Sequence, residues 1–255
     1  MFIVLKIKKY ARLFLFAILI LVFIWAVHIL TNLKIAVYKH DRLLPIYCVD
    51  RKDKKIAITF DAAWGNDDTN DLLEILEKYN IKATFFLVGF WVDKYPKDVM
   101  KIHEKGHEIG SHSDKHYHMS TLNEENIIDD IKRCENKIYN LIGKKPVVFR
   151  PPYGDYNNRL IKVLNELGYY VIQWDVDSLD WKDLKPEQIE RRVISKVKSG
   201  SIILFHNNAK WTKYALPNII ENLKSIGYSF VTISELIYKD NFYIDPAGVQ
   251  KKLDE

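Results

Sequence analysis

The chain has 255 residues, 48% of them hydrophobic, which suffices for one large domain and an appendage. Two cysteines make no disulfide framework. The net charge of +5 is uneven: residues 1–55 carry eleven Lys/Arg against three Asp/Glu, leaving 27 of 38 against 30 of 33 for the rest. A slightly acidic main body excludes nucleic acid as the expected partner, because phosphate binding needs a basic face.

Lys6, Lys8, Lys9 and Arg12 precede an apolar run from Leu13 to Leu30, interrupted mainly by His28. Eighteen residues at about 1.5 Å each span roughly 27 Å, close to a bilayer's hydrocarbon core. The run is long for a signal-peptide core, and no small-x-small cleavage site follows it. Residues 1–30 are therefore expected to form an uncleaved transmembrane signal anchor; a cleaved signal peptide and a secreted protein are the alternative. The leading charges favour a single-pass cell-membrane protein with its main domain on the extracytoplasmic side, although Lys34, Lys39 and Arg42 weaken that bias. Residues 31–53, charged and carrying Pro45 and Cys48, read as a linker.

From residue 54 to 236 strand-like and helix-like patterns alternate. Ile56–Phe60 is the first strand candidate, followed by the helical stripe Leu72, Leu76, Tyr79. Thr84–Val88 and Glu108–Ser111 come next, and His103 and His107 before the latter read as surface or capping residues. Thr121 with Glu124 reads as a capping box for a long helix with the stripe Ile127, Ile131, Cys134, Ile138, Leu141, which makes Cys134 a core residue. Val147–Arg150, Tyr170–Asp175, Ser201–Phe205 and Tyr228–Ile233 are the remaining strands. Between them lie stripes on Leu160 to Leu167, Ile189 to Val197 and Ile219 to Ile226. Gly106, Gly143, Gly168, Gly200 and Gly227 sit where helices should stop. Seven strands alternating with helices argue for parallel βα units, in a barrel of seven or eight strands or an open doubly wound sheet. Residues 237–255 read as a polar tail.

Polar clusters follow the strand ends, where α/β enzymes of both architectures build their sites. TFDAAWG at Thr59–Gly65 ends the first strand on Asp61. HSDKH at His112–His116 spaces two imidazoles so that a helical turn would bring both to one side, and neutral imidazoles suit zinc and neighbouring divalent metals. Arg150 heads RPPYG at Arg150–Gly154, and its guanidinium fork suits a carboxylate. DSLDW at Asp177–Trp181 and LFH at Leu204–His206 complete the series, with Asp177 either capping its loop or functional. Trp64, Trp91, Tyr153 and Trp181 suit sugar faces or a core equally.

In order and spacing these five segments resemble the signature motifs of the NodB-type polysaccharide deacetylases, carbohydrate esterase family 4, over roughly residues 54–236. The resemblance implies a distorted (β/α) barrel and a metal-dependent hydrolase that removes N-acetyl groups from a polysaccharide. It implies that Asp61 is the general base and Arg150 its partner, and that His112 and His116 ligate a divalent ion such as zinc or cobalt. Pro151 and Pro152 would fix the backbone so that the Tyr153 N–H faces the oxyanion, Asp180 would orient the general acid His206, and Trp181 would line the acetyl pocket. The family's usual TFDD is broken here by Ala62, so a third ligand must come from Asp61, Asp67 or Asp68, or is missing. TFD followed by two small residues and Trp-Gly resembles the sporulation-associated, membrane-anchored subgroup. Three readings follow: an active deacetylase of GlcNAc or MurNAc residues in peptidoglycan or spore wall; a degenerate glycan-binding member, which Ala62 favours; and a membrane-tethered structural partner.

Overall fold

The computed structural model describes residues 16–29 and 42–253, and the chain divides into compact units at residues 43 and 44. In the first unit residues 16–29 form helix α1, whose large apolar side chains, Phe16, Phe23 and Trp25 among them, stand exposed. The expected anchor extends at both ends beyond the described residues. Among the described residues no helix is long and apolar enough to cross a membrane.

The second unit runs β1 (Cys48–Val49), β2 (Lys55–Ala62), α2 (Thr69–Lys78), β3 (Thr84–Leu87), α3 (Gly89–Lys94), α4 (Pro96–Glu104), β4 (Glu108–Ser111) and α5 (Glu124–Ile142). It continues through β5 (Val148–Phe149), α6 (Asn158–Glu166), β6 (Tyr170–Val171), β7 (Val176–Asp177), α7 (Pro186–Ile194), β8 (Ile202–His206), α8 (Thr212–Ser225), β9 (Ser229–Phe230), α9 (Ile233–Leu236), β10 (Phe242–Ile244) and β11 (Val249–Lys252).

The main sheet is parallel throughout, in the order β6-β5-β4-β3-β2-β8-β7, with β9 beside the start of β2. Its two edges, β6 and β7, are consecutive in sequence. Of the expected strand Tyr170–Asp175 only Tyr170–Val171 forms a strand, paired with β5; Ile172 is bridged by Ile46, the Asp175 N–H donates to Ile202 O, and β7, beginning at Val176, pairs with β8. One extended segment serving both edges curls the sheet into a seven-stranded half-barrel. This fits the distorted barrel that the family resemblance implies and not the open doubly wound sheet that the alternation of strands and helices left equally possible.

Side chains alternate across each strand. Ile56, Ile58, Phe60 and Ala62 of β2 join Phe85, Ile203 and Phe205 in a core against the helices, where Leu72, Val99, Ile189 and Ile219 meet them. Ala57, Phe86, Val148 and Ile202 face the inside of the curl, with Ile46, Val49, Ile233 and Leu236.

Two segments differ from expectation. Residues 44–53, read as linker, belong to the compact unit: β1 pairs with β11, Val49 N–H donates to Gly200 O, and Cys48 is buried. Residues 237–253, read as a polar tail, form β10 and β11 in that same small sheet. Alternating apolar residues, with Gln250 buried between the Tyr238 N–H and carbonyl, let a polar-looking sequence pair there. Both cysteines are free.

The long helix α5 is capped by Asn123, whose side chain accepts from the Asn126 N–H, not by Thr121, whose hydroxyl donates to His118 O. It ends at Gly143 with φ +66°.

His107 is buried, contrary to its surface reading: its Nδ1 accepts from the Ala83 N–H at 3.2 Å, which holds β3 against the turn before β4. Burial, with Lys82 and Lys105 nearby, pushes its pKa down to about 4. The unfolded chain then binds more protons between the ordinary value of 6.5 and about 4, so stability present above 6.5 is lost as pH falls through that window. His107→Gln, which keeps an acceptor and does not titrate, is expected to flatten the fall in Tm between pH 7 and pH 4. Melting curves of equal pH slope in wild type and variant would refute this role.

Candidate active site

Strand alternation brings the sequence motifs together. Asp61 is paired in register with Phe86 on β3 and His206 on β8, and Phe86 with Gly110 on β4. These positions, with His112 and Arg150 just beyond β4 and β5, lie on the inner side at the strands' C-terminal ends. Gly110 is required there: a Cβ would lie 2.6 Å from the Phe86 ring, the ring over which Arg150 Cζ sits at 4.2 Å.

Arg150 is fully buried and ties the site together. Its Nη1 donates to Asp61 Oδ1 at 2.7 Å, its Nη2 to Gln173 O at 3.2 Å, and its carbonyl accepts from His112 Nδ1 at 2.7 Å. Burial alone would raise the Asp61 pKa, but the Arg150 charge and hydrogen bond, with His206, outweigh it and hold the carboxyl below its ordinary value.

His112 Nε2 lies 3.6 Å from Asp61 Oδ2, and the His112 and His116 rings are 5.0 Å apart at 72°. They are brought together by a tight loop instead of the expected helical turn. Ser113 and His116 both adopt positive φ, 68° and 57°, and Ser113 Oγ accepts from the His116 N–H. Asp130 of α5 accepts the N–H groups of Asp114 and Lys115 at 2.7 and 3.1 Å. Asp114 itself is buried against Lys137. Ser113, Asp114 and Asp130 escaped the sequence reading; a Ser and an Asp flanked by histidines was the only signal in the motif.

Across the site, His206 Nδ1–H donates to Asp180 Oδ1 at 2.7 Å, while Asp180 Oδ2 accepts from the His206 N–H at 2.9 Å and from Thr212 Oγ1 at 2.7 Å. Burial would depress His206, but the hydrogen bond and charge of Asp180, with Asp61 and Asp177, leave its pKa raised. Thr212, first residue of α8, was not legible as a site residue. Asp177 caps its loop, accepting from the Leu179 N–H at 2.8 Å.

The remaining candidates scatter. Pro151 and Pro152 lead into a turn in which Tyr153 has φ +60°. The Tyr153 ring meets His116 edge-on at 4.5 Å. Trp181 is exposed, and Trp91 is buried. Asp68 is drawn to Lys213 at 2.8 Å, Asp67 is exposed, and Ala62 faces the helix-side core.

A divalent cation, which the motif set implies, is met by this donor set in part. Both imidazoles are held neutral: burial depresses His112, and burial with His112 beside it pushes His116 down to about 4. With Nδ1–H fixed on Arg150 O, His112 presents an unprotonated Nε2, while His116 Nδ1 is buried without a hydrogen-bond partner. Among the described residues no third His, Cys, Asp or Glu completes a metal-enclosing group.

A family model for polysaccharide deacetylase matches residues 49–172. A peptidoglycan-N-acetylglucosamine deacetylase of Bacillus cereus is 38% identical over 194 residues, 74% of this chain and 91% of that protein. YlxY of Bacillus subtilis, itself uncharacterized, is 36% identical over 193 residues; the match covers 76% of this chain and 60% of that relative. The crystal structure of BA3943 from Bacillus anthracis, described as a carbohydrate esterase family 4 pseudoenzyme, superposes with a TM-score of 0.74 at 33% identity, covering 82% of this chain and 70% of that one.

The loop that carries His116 depends on Asp130. Asp130→Ala strands two N–H donors and is expected to cost about 1–3 kcal/mol for each buried one, lowering Tm and shifting the His116 ring resonances. Unchanged melting and an unchanged His116 spectrum would refute that dependence.

Proposed function

Because the chain belongs to the polysaccharide deacetylase family, carbohydrate esterase family 4, we propose that it hydrolyses N-acetyl groups on GlcNAc- or MurNAc-type residues of a cell-wall polysaccharide, releasing acetate. The observation that carries the reading is a base and an acid on adjacent strands, Asp61 and His206, in register and each held by its own charged partner. Peptidoglycan is the favoured polymer because the B. cereus relative acts on its N-acetylglucosamine.

Asp61, kept ionised by Arg150, takes a proton from the attacking water. The Tyr153 N–H, on the turn after Pro151, is the proposed donor to the oxyanion. His206, its Nδ1–H held by Asp180, delivers the Nε2 proton to the departing amine, without which an amide nitrogen is a very poor leaving group. A divalent cation held by His112 and His116 would lower the pKa of that water. Trp181 is proposed to wall the acetyl pocket. Metal dependence, the choice between zinc and cobalt, and action on spore wall belong to this proposal.

So does the setting. Four positive charges before the apolar run 13–30 support a membrane anchor with the domain outside the cell. TFDAAWG supports the sporulation-associated subgroup. A second reading, glycan binding without turnover, is favoured by Ala62 in place of a carboxylate and by the likeness to the BA3943 pseudoenzyme.

Acetate release from peptidoglycan and chitooligosaccharides, with and without chelator, separates the two. The active reading expects release that Asp61→Asn and His206→Ala each abolish, with the fold intact; near-normal release by either would sink the mechanism. His112→Ala is expected to strip bound zinc, read by elemental analysis of the purified protein; a full metal complement would remove His112 from the ligands.

His206 acts protonated, so its raised pKa keeps activity up beyond the ordinary imidazole value of 6.5. Asp180→Asn removes the main raising influence and should move the alkaline limb of kcat/KM to lower pH. An unmoved limb would show that His206 is not the titrating acid.

A further inference from the structure

The rim of the site carries an aromatic residue that no step above uses. Trp64 is 62% exposed, although its neighbours Ala62 and Ala63 are buried. An indole left in water forgoes burial worth about 25 cal/mol per Å², so its exposure calls for a cause.

Nor is it loosely held. The carbonyl of Gly65 accepts from Trp91 Nε1 at 2.7 Å and from Asn207 Nδ2 at 3.0 Å. Gly65 has φ +67°, and a Cβ there would collide with the side chain of Asn208. The backbone on one side of Trp64 is thus pinned by a buried tryptophan and by the residue after His206, and on the other side it enters the core. The indole stands edge-on to His116 at 4.8 Å and 6.3 Å from Phe90.

From there the rings continue. His116 meets Tyr153 at 4.5 Å, and Tyr153 stacks on His118 at 4.2 Å and 15°. Tyr153 is also more than half exposed. A fixed aromatic row therefore runs from the end of β2 to the loop after β5, past the imidazole pair. Rigid tryptophan and tyrosine faces offer large contact area at low entropic cost. Nucleobases could stack on such a row, but single-stranded nucleic acid also needs a basic groove, and residues 56–255 carry 27 Lys/Arg against 30 Asp/Glu. An uncharged ring with one apolar face meets both conditions.

We propose that Trp64 is a sugar-stacking subsite that holds a pyranose ring neighbouring the one whose acetamide reaches Asp61, so that the site selects an N-acetylated glycan chain over a single sugar. The proposal rests on the glycan reading of the site but not on turnover.

The test is calorimetric titration of the full chain with N-acetylchitotetraose and with GlcNAc. The tetramer is expected to bind tighter than the monomer. Trp64→Ala should weaken tetramer binding about tenfold, a loss of about 1.4 kcal/mol, and Trp64→Phe should restore most of it. Tyr214→Ala, an exposed aromatic on α8, should bind as wild type does. Tetramer binding by Trp64→Ala within twofold of wild type, equal affinity for monomer and tetramer, or no binding by the folded wild type would each overturn the subsite. Binding lost in Trp64→Ala, with no acetate released by wild type, would leave the subsite standing and sink the deacetylase reading instead.

Discussion

The Asp61 side of the site depends on one buried ion pair. Asp61 is 7% exposed, and a carboxylate so placed without a partner would take up a proton and cease to be a base. Arg150 prevents this at 2.7 Å, and it is itself positioned by three local facts. Its N–H donates to Ser111 O, its guanidinium lies on the Phe86 ring, and Gly110 leaves that ring its space. The same residue's carbonyl sets the tautomer of His112. Loss of Arg150 would therefore reach Asp61 and His112 at once.

Neighbouring groups are then biased in opposite directions. Asp61 and His206 are register neighbours on adjacent strands, yet a cation biases one toward its ionised form and a carboxylate biases the other toward protonation. His112 and His116, with no carboxylate hydrogen-bonded to them, are left neutral by desolvation. Titratable groups whose surroundings push their pKa values apart mark where proton transfer can be divided between a base and an acid. The division follows from the β2–β8 register, since a slip of one residue would turn Asp61 toward the helices.

Much of this was legible in sequence, because the strands end on the chemistry. Apolar runs located β2, β4 and β8 closely, and period-two alternation accounts for the shared inner face of Asp61, Arg150 and His206. What sequence could not supply came from contacts distant along the chain. Tyr170–Asp175 reads as one strand, but only Tyr170–Val171 pairs at one edge, and the chain then crosses to the other edge to form β7 from Val176. Asp130 looks like a helix-surface acid, and Thr212 like a helix start, until tertiary packing brings them to the backbone of Asp114 and Lys115 and to Asp180. The segments 44–53 and 237–253 read as linker and tail because neither holds an apolar face alone; each becomes ordered by pairing with the other.

The same alternation clarifies the place where this chain leaves its family's pattern. Asp61 and Ala62 are consecutive, so they face opposite sides of β2, and Ala62 fills the helix-side core with Phe60 and Ile58. Ala62 is fully buried there and puts no carboxylate at that position, which by itself suits a binding protein. The rest of the site argues otherwise. Buried ion pairs are weak contributors to stability, and apolar replacements of similar volume are often neutral or better. A domain that needed only to hold glycan would lose nothing in stability by giving up Asp61 with Arg150, or Asp180 with His206. Both pairs are present, oriented, and set on neighbouring strands, an arrangement that proton transfer requires and packing does not.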